Sequence, residues 1–324
     1  MDILKKHSKI ALITSIVLFV IFFFQEKFTI LRDIQTNSVT NVICLFLILT
    51  MGISHGALDH LKGQKILKVL KIENSLLFYI AYILLGSLII ILWFLFPTFA
   101  LVIFLIVACF HFGKEDTEFL FKEKKSWYNL IFLTKGLLII IAPLISHNKE
   151  AIDIFLTLGA DDSFILHFKE GIRLEGYLLV LTYIVAIGYI AFFLELGSGR
   201  NNKFEEDPSY FIADFIPIIL LNAVFTPLIA FTLYFCFIHS FKHSVSLINE
   251  LDNKNFKTGT EKFIKKATPL TIITGIIFLI GLAILTNYYV LNDAILKVIF
   301  IGLASLTFPH ILLEYLLEKN EKRT

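Results

Sequence analysis

The sequence carries little charge for its length. Only 17% of the 324 residues are Asp, Glu, Lys or Arg, whereas 57% are apolar, and a soluble domain holds about 25% charged residues. The apolar residues form repeated runs that approach the ~20 residues a helix needs to cross a bilayer. This shortage of charge excludes an ordinary soluble enzyme and a soluble domain with one anchor. The sequence therefore predicts an all-α, polytopic integral membrane protein.

Cysteine is also scarce. Cys44, Cys109 and Cys236 each fall inside a hydrophobic run, and no Cys-x-x-Cys pair occurs. An odd count without paired spacing indicates neither a disulfide framework nor a thiolate metal site. The sequence also has no P-loop and no Rossmann glycine fingerprint, and its basic segment 114–125 is mixed with acidic residues. We therefore expect no nucleic-acid partner.

Long hydrophobic runs are the main feature of the sequence. They predict about ten transmembrane helices. The range is eight to ten, because the fourth and seventh runs are short and the breaks at Pro97 and Pro227 could be kinks within longer helices. The first run lacks a small-residue cleavage site and is interpreted as a retained span. We see no internal repeat and no second domain, so residues 1–324 are predicted to form a single membrane-embedded domain. The predicted spans are 9–24, 40–56, 75–96, 99–112, 127–146, 174–196, 210–224, 227–247, 269–291 and 293–317.

The basic residues give the orientation of these spans. With a cytoplasmic N-terminus, 22 of the 29 Lys and Arg residues fall in cytoplasmic segments or at the cytoplasmic ends of spans, which is the bias expected from the positive-inside rule. Ten spans then place both termini in the cytoplasm. The longest external segment, 148–173, mixes apolar and acidic residues and predicts an interfacial amphipathic helix.

Six histidines lie near one side of the membrane in this topology. Spans two, four, eight and ten all run inward, and a histidine lies near the C-terminal end of each. Histidine inside a membrane protein is costly and usually faces the bundle interior or a functional site. The six residues are His55, His60, His111, His239, His243 and His310.

Clustered histidines at one depth predict a metal site. His239 and His243 are four residues apart, on one face of a helix, although such a pair alone could simply be interfacial. Imidazole ligands without thiolate suit zinc, copper, iron or nickel. Asp59, Asp116 and Glu314 follow motif histidines closely enough to accept a ring N–H from the metal-bound side chains, or they could be solvated head-group residues.

Two further features are candidates for function. Asp214 is a carboxylate within the seventh span, which marks it as functional unless it reaches water at the cytoplasmic end. The 34 phenylalanines could line a tunnel for a long polyene, although lipid-facing or core positions are the simpler interpretation for each of them.

The histidine motifs resemble those of the Brp/Blh-type β-carotene 15,15′-dioxygenases, which are prokaryotic integral membrane proteins. The resemblance extends in the expected order from span two to span ten, and it depends on the combination of motifs. These motifs are Gly52-x-x-His55-Gly56-Ala57-x-Asp59-His60, His111-Phe112-Gly113-x-x-Asp116, His239-x-x-x-His243 and Pro309-His310.

The resemblance implies oxidative cleavage of the central double bond of β-carotene by O2, giving two molecules of all-trans-retinal. It implies an iron(II) cofactor held by four ligands, which are His55, His111, His239 and His243. His60 and His310 also match motif positions, and they are expected to support the site together with Asp59, Asp116 and Glu314. The expected location is the inner (plasma) membrane, where the lipid delivers the substrate and the retinal supplies a microbial rhodopsin.

Three other functions are compatible with clustered histidines. A membrane di-iron desaturase or hydroxylase requires more histidines, in repeated clusters, than the six of nine that belong to these motifs. A histidine-lined metal-ion transporter would show further acidic or histidine residues along a path across the membrane. A bis-histidine haem protein would show a Soret absorption band.

Overall fold

The protein is described by a computed structural model that covers residues 2–23, 35, 37–121, 126–169 and 209–321, with six single positions between 182 and 193. This described part is helical and has no β-strand. Its α-helices are α1 (Asp2–Phe23), α2 (Ser38–Leu47), α3 (Asp59–Val69), α4 (Leu76–Leu95), α5 (Pro97–Thr117), α6 (Tyr128–Ser146), α7 (Asn148–Thr157), α8 (Asp162–Lys169), α9 (Ser209–Val224), α10 (Pro227–Tyr234), α11 (Ser240–Leu251), α12 (Phe256–Leu285) and α13 (Leu291–Glu321).

Seven of the ten predicted spans are present as helical segments long and apolar enough to cross a membrane. This finding confirms an all-α, polytopic membrane protein. The seven segments are Ser38–Val69, Leu76–Leu95, Pro97–Leu120, Tyr128–Ser146, Pro227–Leu251, Phe256–Leu285 and Leu291–Asn320.

The other three predicted spans have different outcomes. The run 9–24 falls largely within α1. The run 210–224 belongs to α9, whose apolar part Ala213–Val224 is a shorter helix. The run 174–196 lies outside the continuously described residues, so the total number of spans stays a prediction.

Pro97 and Pro227 begin helices instead of kinking them. Each lies in the first turn of its helix, where the missing N–H would have had no helical partner. Immediately before them, Phe96 (φ −139°, ψ 66°) and Thr226 (φ −58°, ψ 155°) leave the helical region. Of the two alternatives for these breaks, turn and kink, the structure has the turn.

The segment 148–173, which the sequence predicts to be external, contains two short helices in its described part, α7 and α8, instead of one interfacial helix. Leu158 and Ile165 are buried in the core, and Trp93 Nε1 donates a hydrogen bond to the Leu158 carbonyl oxygen at 2.9 Å. The apolar residues of this segment therefore pack against the bundle.

Helices α5 and α6 approach each other unusually closely at two glycines. A Cβ atom on Gly113 would lie 1.7 Å from the Phe132 carbonyl oxygen, and one on Gly136 would lie 1.6 Å from the Cys109 carbonyl oxygen. Small residues allow transmembrane helices to pack backbone against backbone. This contact fixes the C-terminal half of α5, which carries His111.

Gly136→Ala is expected to destabilise the protein by more than about 3 kcal/mol, because the neighbouring backbone cannot yield as a side chain would. Gly275→Ala is the matched control, since a Cβ there meets nothing within 4 Å and alanine favours helix by about 1 kcal/mol. Thermal unfolding in detergent checks both variants. Equal melting temperatures would contradict the close packing of α5 on α6.

Two irregular turns interrupt the helices that carry the histidine motifs. A π-helical turn at Ile48–Gly52 is followed by a 3₁₀ turn at Ile53–Leu58, and a second π-helical turn, Phe235–His239, ends at His239. The two π turns contact each other, and the Ser240 hydroxyl donates to the Gly52 carbonyl oxygen at 3.3 Å. Such turns often occur at functional sites.

The orientation can be tested on two exposed lysines. Lys149 lies in the predicted external segment and Lys254 in the predicted cytoplasmic loop. The three native cysteines are buried, so background labelling should be low. A membrane-impermeant thiol reagent applied to intact cells should label Lys149→Cys and leave Lys254→Cys unlabelled. Labelling of both from outside would refute the topology.

Candidate metal centre

Glu115 lies at the centre of a buried histidine cluster. Its carboxylate oxygens are 3.6 Å from His111 Nε2 and 3.3 Å from His239 Nε2. They are 3.1 Å from His243 Nδ1 and 3.8 Å from His310 Nε2. Four imidazoles from three separate stretches of chain thus surround one carboxylate.

Helix α5 supplies both His111 and Glu115. The two residues are four positions apart, on one face of the helix. Asp116 follows directly and is rotated by about 100° around the helix axis. The same helical turn therefore directs Glu115 to the middle of the cluster and Asp116 to its edge.

Asp116 fixes the ring of His239 from outside the cluster. His239 Nδ1 lies 3.0 Å from Asp116 Oδ1, and the Tyr234 hydroxyl donates to Asp116 Oδ2 at 2.7 Å. With Nδ1 hydrogen-bonded to a carboxylate, Nε2 of His239 is the ring nitrogen directed at Glu115. This is the arrangement that orients metal-binding histidines.

Asp59 fixes the ring of His310 in the same way. Its two oxygens lie 2.8 and 2.9 Å from His310 Nδ1, and the Tyr82 hydroxyl donates to Asp59 Oδ2 at 2.8 Å. Nε2 of His310 is the nitrogen on the side of Glu115. The cluster thus contains two Tyr–Asp–His chains, each with Nε2 on the inner side.

Glu314 completes the cluster on the side of α13. Its oxygens lie 4.0 Å from His111 Nδ1 and 3.7 Å from His310 Nε2. The Lys62 ammonium contacts Glu314 Oε1 at 2.9 Å. One potential ligand atom from each of His111, Glu115, His310 and Glu314 lies within 4.8 Å of the others, close enough for a single ion.

Asp59 and Asp116 each contact a histidine that is distant in sequence. Asp59, at the end of the 3₁₀ turn Ile53–Leu58, contacts His310 on helix α13. Asp116 contacts His239 and not His111, because five residues along an α-helix turn the side chain by about 140°. The carboxylates therefore link helices that are distant in sequence.

Of the other two motif histidines, His55 and His60, the structure describes the side chain of His60. His55 lies in the 3₁₀ turn, and its side chain is outside the described part of the chain. The His60 ring lies on the wall of an apolar cavity beside the cluster. Its Nδ1 donates a hydrogen bond to the Ala57 carbonyl oxygen at 3.0 Å. The assignment of His55 as a ligand stays a prediction.

Asp214 belongs to a separate buried ion pair. Its side chain is 1% exposed and contacts the Lys242 ammonium. Lys135 Nζ donates to the Asp214 backbone oxygen at 2.5 Å. Asp214 therefore does not reach water through an exposed side chain.

An apolar cavity of about 330 Å³ opens directly on the cluster. His111, His310 and Asp59 form part of its wall, and aromatic residues form much of the remainder, including Phe78, Phe112, Phe235 and Phe278. The helices on its outer side, α4 and α12, are largely exposed. Only 11% and 6% of the residues in their apolar stretches are buried inside the protein. These two helices therefore present most of their apolar surface to the bilayer beside the cavity.

Comparison with known proteins identifies the family. Residues 46–318 match the sequence profile described as Beta-carotene 15,15'-dioxygenase. The protein named Beta-carotene 15,15'-dioxygenase from uncultured marine bacterium 66A03 is 29% identical over 285 residues, which cover 86% of this chain and 94% of the relative. No solved structure matches. The chain is therefore an enzyme that belongs to the beta-carotene 15,15'-dioxygenase family.

Proposed function

We propose that this enzyme uses O2 and iron(II) to cleave the central 15,15′ double bond of β-carotene, giving two molecules of all-trans-retinal. The observation that carries the proposal is the buried imidazole–carboxylate cluster opening on an apolar cavity. β-Carotene is a hydrocarbon about as long as the bilayer core is thick, roughly 30 Å. It is therefore dissolved in the lipid that borders α4 and α12.

The donor set fits a divalent metal ion. Adjacent ligands bonded at about 2.1 Å to an octahedral ion lie roughly 3 Å apart, and the four imidazole–Glu115 distances are 3.1–3.8 Å. Nitrogen and carboxylate ligands without thiolate suit iron(II), as well as other divalent metals. The similarity to the family's motifs favours iron among them.

We assign four described imidazoles as ligands, His111, His239, His243 and His310, with Glu115 completing the set. The sequence indicates only a supporting role for His310, but we now assign it as a ligand. The reason is that Asp59 and Tyr82 hold His310 in the same way that Asp116 and Tyr234 hold His239. His55 stays a predicted ligand. Bound iron would supply the activation of O2, which no side chain of the site can perform.

The protein itself positions the substrate and holds the ligands. The aromatic wall of the cavity excludes water and aligns the polyene beside the cluster. Asp59 and Asp116 hold Nδ1 of their histidines protonated, which leaves Nε2 as the ligand atom. No step of the proposed reaction requires a nucleophile or a general acid from the chain.

The direct test is expression in β-carotene-producing bacteria. Cells with the wild-type chain should lose their orange colour and accumulate retinal, whereas cells with His239→Ala should stay orange at the same level of inserted protein. Analysis of the extract separates central from eccentric cleavage, since only the former gives retinal alone. Unchanged carotene with well-inserted wild-type protein would refute the proposed function.

Loss of an outer carboxylate should impair the enzyme without abolishing metal binding. Asp116→Asn and Asp59→Asn are each expected to lower iron affinity or activity by about 10–100-fold, the usual effect of removing a hydrogen-bond partner of a metal-bound histidine. Asp161→Asn is the matched control, because Asp161 bonds to Thr98 at the other end of α5. Wild-type activity in Asp116→Asn would contradict the role assigned to it.

We further propose that the enzyme resides in the inner (plasma) membrane and supplies retinal to a microbial rhodopsin. A lipid-soluble substrate and a lipid-soluble product support a membrane location. Co-expression with a retinal-free rhodopsin should generate its colour in carotene-producing cells, and a colourless rhodopsin beside normal retinal yield would contradict the link.

A further inference from the structure

A second cavity continues the one beside the histidines. It has a volume of about 490 Å³ and is bordered by α4, α12 and α13. The two cavities share four wall residues, Ile90, Ile277, Phe278 and Ser305. The two cavities therefore adjoin, with these four residues at the junction.

Helix α13 gives the length of the combined space. It lines the first cavity at His310 and the second cavity as far as Lys297. These residues are 13 positions apart, which corresponds to about 20 Å along the helix at 1.5 Å per residue. Half of a molecule that is roughly 30 Å long is about 15 Å, so its end would lie near residue 300, beside Val298 and Gly302.

The wall of the second cavity suits a hydrocarbon. Trp93, Phe94 and Leu285 are among its apolar residues. The one charged group on the wall, Lys297, donates a hydrogen bond to the Thr157 carbonyl oxygen and lies 4.6 Å from the ring centre of Tyr289. Its ammonium is thus already bound by protein groups.

We propose that the second cavity is the subsite for one cyclic end group of the carotenoid, and that its distance from the histidine cluster sets cleavage at the central double bond. This inference rests on the proposed function. The occupant follows from three observations. The cavity adjoins the one beside the cluster, its wall is apolar, and its distance from the cluster along α13 matches half the length of the substrate.

Gly281 offers a way to fill the subsite. It lies on the wall of the second cavity, and a Cβ there would meet only Val298 Cγ2, at 4.0 Å. A phenylalanine at this position can therefore project into the cavity without displacing the backbone. Gly275, on the same helix, is not part of either cavity wall and has nothing within 4 Å of its Cβ position. Gly275→Phe is the matched control.

The test measures cleavage of two substrates by the full-length, iron-loaded protein. Gly281→Phe should lower kcat/KM for β-carotene at least about tenfold relative to Gly275→Phe, with equal iron content. It should retain activity on an apocarotenal, which has one ring and a truncated second end that leaves room for the new side chain. Equal loss on both substrates, or no difference between the two variants, would overturn the subsite.

A binding measurement separates this inference from the proposed function. The chain has two tryptophans, so Trp127→Phe leaves only Trp93, which is 3% exposed and lies on the wall of the second cavity. β-Carotene should quench its fluorescence, and adding Gly281→Phe should weaken this quenching while Gly275→Phe should not. Quenching without cleavage would refute the proposed function and keep the subsite. Equal quenching in both variants, or none in the parent, would overturn the subsite.

Discussion

His310→Ala is expected to lose bound iron as completely as His239→Ala, and retinal formation with it. The two residues occupy equivalent positions, since each has an aspartate on Nδ1, a tyrosine behind that aspartate, and Nε2 on the side of Glu115. Removal of a ligand should exceed the roughly 10–100-fold loss that follows removal of an outer partner. We therefore expect a loss of more than about 100-fold in iron affinity.

The comparison extends to all six motif histidines. Elemental analysis and retinal yield should be measured together on alanine variants that insert at wild-type levels. His111→Ala and His243→Ala should behave like His239→Ala, whereas His60→Ala should retain its iron, because its ring bonds to the Ala57 carbonyl oxygen. Full iron content in His310→Ala would return that residue to a supporting role. Iron loss in His55→Ala would add it to the ligands.

The sequence predicted the architecture well because the relevant signal is local. A helix that crosses a membrane needs only its own run of apolar residues, and seven of the predicted runs are present as long apolar helices. The bounds differed mainly where helices continue beyond the apolar part. Helix α12, for example, begins at Phe256, well before the predicted start at residue 269.

The pairing of side chains within the cluster could not be predicted in the same way. Asp59 and His310 are 251 positions apart, and Asp116 and His239 are 123 apart. These pairs depend on how helices pack and on the 3₁₀ turn before Asp59. The sequence instead suggested the motif histidine that precedes each aspartate, His55 or His111, whereas the observed partner is a different residue in both cases.

Glu115 was missed because its surroundings in sequence are ordinary. It lies between Lys114 and Asp116 at the end of a predicted span, where charged residues usually contact water and head groups. One signal was present, since Glu115 follows His111 by four residues and so shares its helical face. The same spacing did select Glu314 from the sequence, four residues after His310.

Glu115→Gln is expected to reduce iron affinity and retinal formation by more than about 100-fold, compared with the roughly 10–100-fold loss from removing an outer partner. The substitution preserves size but removes the negative charge that lies among four imidazoles. It also removes a charge that would offset a dication, which is costly to bury without compensation. The effect should therefore appear first in metal content and only then in turnover.

Glu118→Gln provides the matched control. Glu118 lies three residues further along, is partly exposed, and contacts Lys114 at 3.8 Å. It should retain iron and activity within about twofold, since an exposed ion pair of this kind contributes little. If Glu115→Gln retains full iron but loses activity, Glu115 is not a ligand and acts on the substrate or on O2. If it retains both, the centre of the cluster has been assigned incorrectly.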